Sequence, residues 1–227
     1  MKLKKFNCSP KFDQAVKLPS RDIVKSIFED FSHKYLDQIY PKPELVKDLA
    51  ETIANRFRVN VLHTEAVEVD VNDVGINGYY DADDDEQCKI AIEIVLVTNP
   101  ASKFILFDQE KYDTFAINLA DVLAHELLHM RQYRARDFIP IDHCPNKYVD
   151  LEEELLYLSN PDEIDAYAYN IADELRVHPN PIKKLHNLKS ITLQDSINLW
   201  AYLNAFSYDF TSPSLKRLLK KVYKYLS

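Results

Sequence analysis

The chain has 227 residues, enough for one sizeable hydrophobic core, and its 46% hydrophobic and 28% charged content is that of an ordinary globular protein. Only two glycines occur, which disfavours Gly-rich phosphate loops and a turn-dense β-sandwich. A formal net charge of −8 gives no general basis for gripping nucleic-acid phosphates, so no nucleic-acid partner is expected.

The remaining basic clusters, Lys2, Lys4 and Lys5 at one end and Lys216, Arg217, Lys220, Lys221 and Lys224 at the other, read as a frayed terminus and a solvated helix face. Cys8, Cys88 and Cys144 are far apart and odd in number, so no disulfide framework is implied. No apolar run approaches the ~18 residues of a membrane span, and the N-terminal lysines are not followed by an apolar signal core. A cytoplasmic protein without a membrane partner is expected, in the host cytoplasm if the chain is viral.

Taken in chain order, residues 20–39 place Ile23, Ile27, Phe28, Phe31, Tyr35 and Ile39 at helical spacing behind Ser20 as a candidate N-cap. After Pro41 and Pro43, a second helix carries Leu45, Val46, Leu49 and Ile53 on one stripe. Period-two alternation at Phe57, Val59 and Val61, and again at Val67, Val69 and Val71, predicts one or two strands. Residues 72–87 read as a loop whose acidic run, Asp83 to Glu86, is solvated and lacks the ligand order of a calcium loop. The segment 89–97 is the clearest strand, with Ile90, Ile92, Ile94 and Leu96 on one face, and Phe104–Phe107 is a short further one. Residues 113–136, free of Pro and Gly, predict a long buried helix. Residues 138–149 break it with two prolines. Helices are expected from near Asp150, from Asn160-Pro161 to about Arg176, over 191–206 and over 213–226. The simplest account is one α+β domain over 1–227, mostly helical, with a small mixed β-sheet before the long helix. Its parts are a helical stretch (1–56), the sheet and long helix (57–137), and a further helical part (138–227).

Within the long helix, residues 125–129 read His-Glu-Leu-Leu-His. At about 100° per residue, His125 and His129 lie about 40° apart and one turn along the axis. Two imidazoles so placed reach one zinc ion at about 2.0–2.1 Å. Glu126 falls on the flank of the same face, placed to act on a zinc-bound water as general base. Two histidines and a glutamate are costly on an apolar helix unless something partners them; the bland alternative is a pair of satisfied core histidines. Zinc needs a third protein ligand. The extended metzincin pattern is excluded, because Gln132 and Ala135 stand where it has Gly and His.

HELLH followed by a second helix reading Glu163-Ile164-Asp165-Ala166-Tyr167-Ala168 resembles the gluzincin side of the zincins. The likeness is greatest to the compact members, phage-encoded metallopeptidases and the ImmA/IrrE group, and covers roughly 113–176. The resemblance implies a zinc-dependent peptidase acting on polypeptides. It makes Glu163 the third ligand, Asp165 a candidate partner for the ligands, and Tyr167 a candidate donor to the oxyanion. Tyr167 stands where thermolysin-like enzymes have Asp. The resemblance also implies that an extended substrate adds to the edge of a strand, supplied by residues 89–97 or 104–107.

Alternatives remain at several positions. Glu163 sits at the third position of its helix behind Asn160-Pro161 and could instead close a capping box. His143 follows His129 by 14 residues and is the other candidate third ligand, with a spacing similar to SprT-like proteases; Cys144 is beside it. Asn118 and Asp121 lie on the metal face, and Asp121 is placed to orient an imidazole. Tyr167 could pack in the core, and His178 reads as a surface residue ending its helix. Two other functional classes stand against the peptidase: a catalytically weak zincin-fold regulatory protein, and a virion-associated protein with a vestigial site.

Overall fold

The computed structural model describes residues 18–66, 74–87, 92–141 and 150–227. Val67, Val69, Val71, Ile90, the three cysteines, His143 and the N-terminal lysines lie outside them. The protein is mixed α+β, mostly helical with small sheets. It forms two compact units, Met1–Phe138 and Ile139–Ser227.

The first unit opens with α1 (Arg21–Ile27) and α2 (Glu29–Tyr35), where the periodicity predicts a single helix. The break is at Phe28, whose φ of −93° and ψ of 4° leave the helical range. Ser20 occupies the N-cap position of α1 but makes no side-chain capping bond. Ile39 does not continue the helix. Asp37 turns into the left-handed region at φ 57°, and Ile39 lands 69% exposed in β1 (Gln38–Pro41). Aspartate tolerates that conformation better than most residues, which is why the chain can reverse there without glycine.

Helix α3 (Lys42–Phe57) buries Leu45, Val46, Leu49 and Ile53 as its stripe predicts. Phe57 is its last residue rather than the first of a strand, and Arg58 caps it at φ 56°. Strands β2 (Asn60–Glu65), β3 (Val74–Tyr80) and β4 (Ile92–Thr98) make a mixed sheet in the order β2-β4-β3. β2 runs parallel to β4, from Asn60↔Glu93, and β3 antiparallel to it, from Val74↔Thr98. Ile92, Ile94 and Leu96 are buried as expected. β5 (Phe104–Phe107) pairs instead with β1 in a separate antiparallel ladder.

Two expectations fail between residues 72 and 87. The presumed loop contains β3, whose Gly75 and Gly78 masked the strand signal. The acidic run is α4 (Ala82–Glu86), capped by the Asp81 side chain, which accepts from the amides of Asp83 and Asp84 at 3.0 and 3.2 Å. Asp85 is 4% exposed rather than solvated. It accepts from the guanidinium of Arg134 and, at 3.0 Å, from the Tyr80 hydroxyl.

Helix α5 (Gln109–Ala135) starts one turn earlier than predicted, at an Asp108 cap. It packs Leu119 and Leu123 into a core with Leu49, Ile53, Ile94 and Leu96. Phe115 meets Phe28 and Phe107 edge to face, with ring centroids 5.9 Å apart in each case. Gly78 lets β3 lie directly on this helix, since a Cβ there would be 2.3 Å from Cγ1 of Val122.

The second unit is all helical among its described residues: α6 (Leu151–Ser159), α7 (Pro161–Leu175), α8 (Pro181–His186), a 3-10 turn (Leu188–Ser190), α9 (Ile197–Ala205) and α10 (Pro213–Leu226). Three of these starts share one device, a capping side chain followed by proline at the first helical position: Asn160-Pro161, Asn180-Pro181 and Ser212-Pro213. The second was missed from sequence because only six residues follow before the turn. The helix expected from 191 begins at 197, where Ser196 caps the amide of Leu199. Ile164, Ile171, Leu175, Leu199, Leu203, Leu218 and Val222 form the core. Buried Glu174 accepts from the Ser196 hydroxyl and from the side-chain amide of Asn198 at 2.8 Å, fastening α9 to α7.

Gly78→Ala forces either β3 or Val122 to shift, and overpacking of this kind costs about 1–3 kcal/mol. Urea unfolding is expected to register that loss, and Gly78→Ala combined with Val122→Ala to recover part of it. An additive double variant would mean that the two positions do not touch.

Candidate metal centre

Everything the motif needs on the first unit rides on α5. Its start is fixed by Asp108, whose carboxylate accepts from the Lys111 amide at 2.9 Å and the Lys111 ammonium at 3.0 Å. That backbone bond, with the ammonium bond second, holds the Asp108 carboxyl below its usual range. Near the other end, Arg134 anchors the helix to Asp85 of α4. One turn before His125, Asp121 binds Arg21 of α1 in a two-pronged pair, Nη2–Oδ2 2.9 Å and Nε–Oδ1 3.3 Å. The sequence put Asp121 on the metal face as a partner for an imidazole; these contacts give it the task of pinning α1 to α5. Asn118 is exposed.

Between these anchors the two imidazoles meet edge to face one turn apart, with ring centroids 4.6 Å apart and planes at 76°. Both are partly buried, and Glu126 is 8% exposed. The His129 Nδ1 lies 2.9 Å from Oε1 of Gln132. With Nδ1 protonated toward that oxygen, Nε2 keeps its lone pair for a ligand. Gln132 entered the sequence reading only as the residue that excludes metzincins. Its i+3 spacing from His129 was the available signal for an orienting role.

On the second unit, Glu163 stands in the first turn of α7 and is 8% exposed. Asn160 caps that turn by accepting from the Asp162 amide at 2.8 Å, and its own amide donates to the Tyr157 carbonyl at 3.0 Å. One residue is thus both the C-cap of α6 and the N-cap of α7. Across this corner Tyr157, Glu163 and Tyr167 share one buried neighbourhood. Burial first, then the neighbouring Tyr167 and Glu163, push the Tyr157 phenol far above its ordinary value, so it stays protonated and able to donate. The Tyr167 ring sits edge-on between Tyr157, at 6.5 Å, and Tyr202, at 5.2 Å. Tyr157 was not singled out from sequence, because it belongs to the preceding helix.

Asp165 is spent elsewhere. It accepts from Lys221 at 2.7 Å and from the Tyr225 hydroxyl at 3.1 Å, joining α10 to α7. It lies about 200° around the helix from Glu163, so it serves packing and not the ligand. His178 approaches the Asp195 carbonyl at 3.3 Å and helps hold the turn before α9. His143 and Cys144 fall outside the described residues.

Of the two expected substrate edges, 104–107 is β5, paired on one side with β1 among the described residues, and 89–97 is not an edge. The strand at 89–97 supplies β4, which is central between β2 and β3. Among the described residues, β2 and β3 are the outer strands of that sheet. No helix among them is long and apolar enough to cross a membrane. No family model matches the chain, and no curated protein or solved structure matches it either.

Asp108→Ala should cost about 1 kcal/mol at neutral pH, the worth of an N-cap. The depressed Asp108 carboxyl stabilises the folded state above its unfolded value, and that stability is lost as pH falls through the lower folded value. Urea midpoints of variant and wild type are therefore expected to converge as pH drops below the ordinary aspartate range. A gap that stays constant into strong acid would contradict the cap.

Proposed function

We propose that the protein is a zinc-dependent peptidase of the zincin type, with His125, His129 and Glu163 as ligands and Glu126 as general base. The observation that carries the reading is the geometry on α5. Two imidazoles lie one turn apart, Oε1 of Gln132 lies 2.9 Å from Nδ1 of the second, and a buried carboxylate follows the first of them. Satisfied core histidines would not require that acid beside them.

The donor set fits the ion. Two neutral imidazoles and one carboxylate are a recurrent catalytic zinc set that leaves a position open for water. His125 and His129 of the first unit and Glu163 of the second would supply those donors. Bound there, zinc would act as a Lewis acid, polarising a carbonyl and easing deprotonation of water.

The chain's own residues divide the remaining work. Glu126 takes a proton from the water as it adds to the peptide carbonyl and passes it to the departing amine nitrogen. Gln132 keeps the His129 ring in its ligating tautomer. β3 crosses α5 at Gly78 and Val122, three residues before His125, and offers an edge along which an extended polypeptide could add as a further strand. Tyr167 is the candidate oxyanion donor.

Purified wild type and Glu126→Gln are expected to hold about one zinc per chain, with cleavage of denatured proteins falling at least ~100-fold in the variant. Zinc in both and cleavage in neither would favour the regulatory or virion-associated reading. Glu163→Ala should lose most of its zinc. Retention there, with loss in His143→Ala, would transfer the third ligand to His143.

A further inference from the structure

The net charge of −8 conceals a segregation. Residues 176–227 hold nine Lys and Arg against two Asp, a net of +7, while residues 1–175 carry a net of −15. Five of the nine stand on α10, which contains no acidic residue. Leu215, Leu218 and Val222 bury one side of that helix completely. Lys216, Arg217, Lys220 and Lys224 are all exposed. At about 100° per residue they fall within about 100° of arc on the opposite side, in a stripe about 12 Å long. Among the described residues, only Lys221 of the five is ion-paired, to Asp165 at 2.7 Å. α8 meets one flank of this face, with the His186 ring 6.1 Å from Tyr223, and adds exposed Lys183.

We propose that the exposed face of α10 binds the phosphate backbone of a nucleic acid, independently of base sequence. Net charge alone speaks against such a partner, but it averages over a face that is uniformly basic. A merely solvated face, the expectation from sequence, does not account for the arrangement. Lys216–Lys220, Arg217–Lys221 and Lys220–Lys224 are like-charge pairs at i,i+4, each of which weakens the helix. Cations in the last turn complement the helix dipole, but Lys216 and Arg217 stand in the N-terminal half and gain nothing from it. Phosphates laid along the stripe relieve the repulsion and release their own counterions. A lipid surface fits less well. A helix lying in a membrane interface turns apolar side chains to the lipid, and those of α10 are spent in the core. The proposal does not depend on the metal reading.

The test titrates the full chain into a fluorescein-labelled DNA duplex of mixed sequence and follows anisotropy as salt is raised. Four phosphate contacts give a slope of log affinity against log salt of about −3.6, a loss of about 100-fold between ~50 mM and ~200 mM salt. The triple variant Lys216→Gln, Lys220→Gln, Lys224→Gln should flatten that slope by about one per lysine and lose at least ~10-fold in affinity at ~50 mM salt. Its thermal midpoint should equal or exceed that of wild type, since two like-charge pairs are gone. Lys47→Gln, Arg56→Gln, Lys103→Gln removes the same charge from exposed positions of the first unit and should leave slope and affinity near wild type.

Absence of duplex binding by wild type at ~50 mM salt would overturn the proposal, and retention on phosphatidylserine vesicles under the same conditions would assign the face to a lipid surface instead. Equal losses in the two triple variants would also overturn it, because general charge and not this face would then govern binding. So would a loss in the α10 variant accompanied by a lowered midpoint, the mark of lysines that serve the fold.

Discussion

A carboxylate and two imidazoles on the partly buried side of a long apolar helix are tolerated only if the surroundings meet their polarity. That constraint organises the first unit. α5 cannot rotate or slide without dragging Glu126 into worse company, so the unit fixes it along its length. Asp108 sets its first turn, Arg21 pairs with Asp121 in the middle, and Arg134 locks its last turns to buried Asp85. The close seat of β3 on Val122 settles the sheet against the same helix. Each of these is an ordinary stabilising contact. Together they hold the two imidazoles at one fixed separation, as a shared ligand requires.

The second unit solves a different problem by the same means. Glu163 is near the start of its helix, where the backbone amides favour negative charge and where fraying would be greatest. The Asn160 cap, the Pro161 start and the Ile164 side chain buried immediately beyond suppress that fraying. Asp165, Glu174 and their partners then join α7 to α10 and α9.

Much of this was legible in the chain. The apolar stripe of α3, the alternation of β4, the long α5 and the Asn160-Pro161 start all survive, because each is written in a local period or a cap. The failures have a shared cause: the deciding partner is distant in sequence. β3 was hidden because its Gly78 answers to Val122, more than forty residues away. The acidic run looked solvated because Arg134, its partner, lies in another helix. β4 was expected at an edge because strand order is set by pairing and not by period. At the centre, HELLH and Glu163 are readable as residue types at known spacings. The contact of Gln132 with His129 is not, since the polar neighbour of an imidazole can be any donor or acceptor that the fold brings within reach.

The double duty of Asn160 has a consequence for how this chain can diverge. Most inter-helix connections absorb insertions and deletions, but here there is no spare residue between α6 and α7. One added residue would swing the ring on one side past the acid on the other by about 100° and unmake both caps at once. Length variation among descendants of this sequence should therefore accumulate elsewhere, leaving the single-residue junction at Asn160 unchanged.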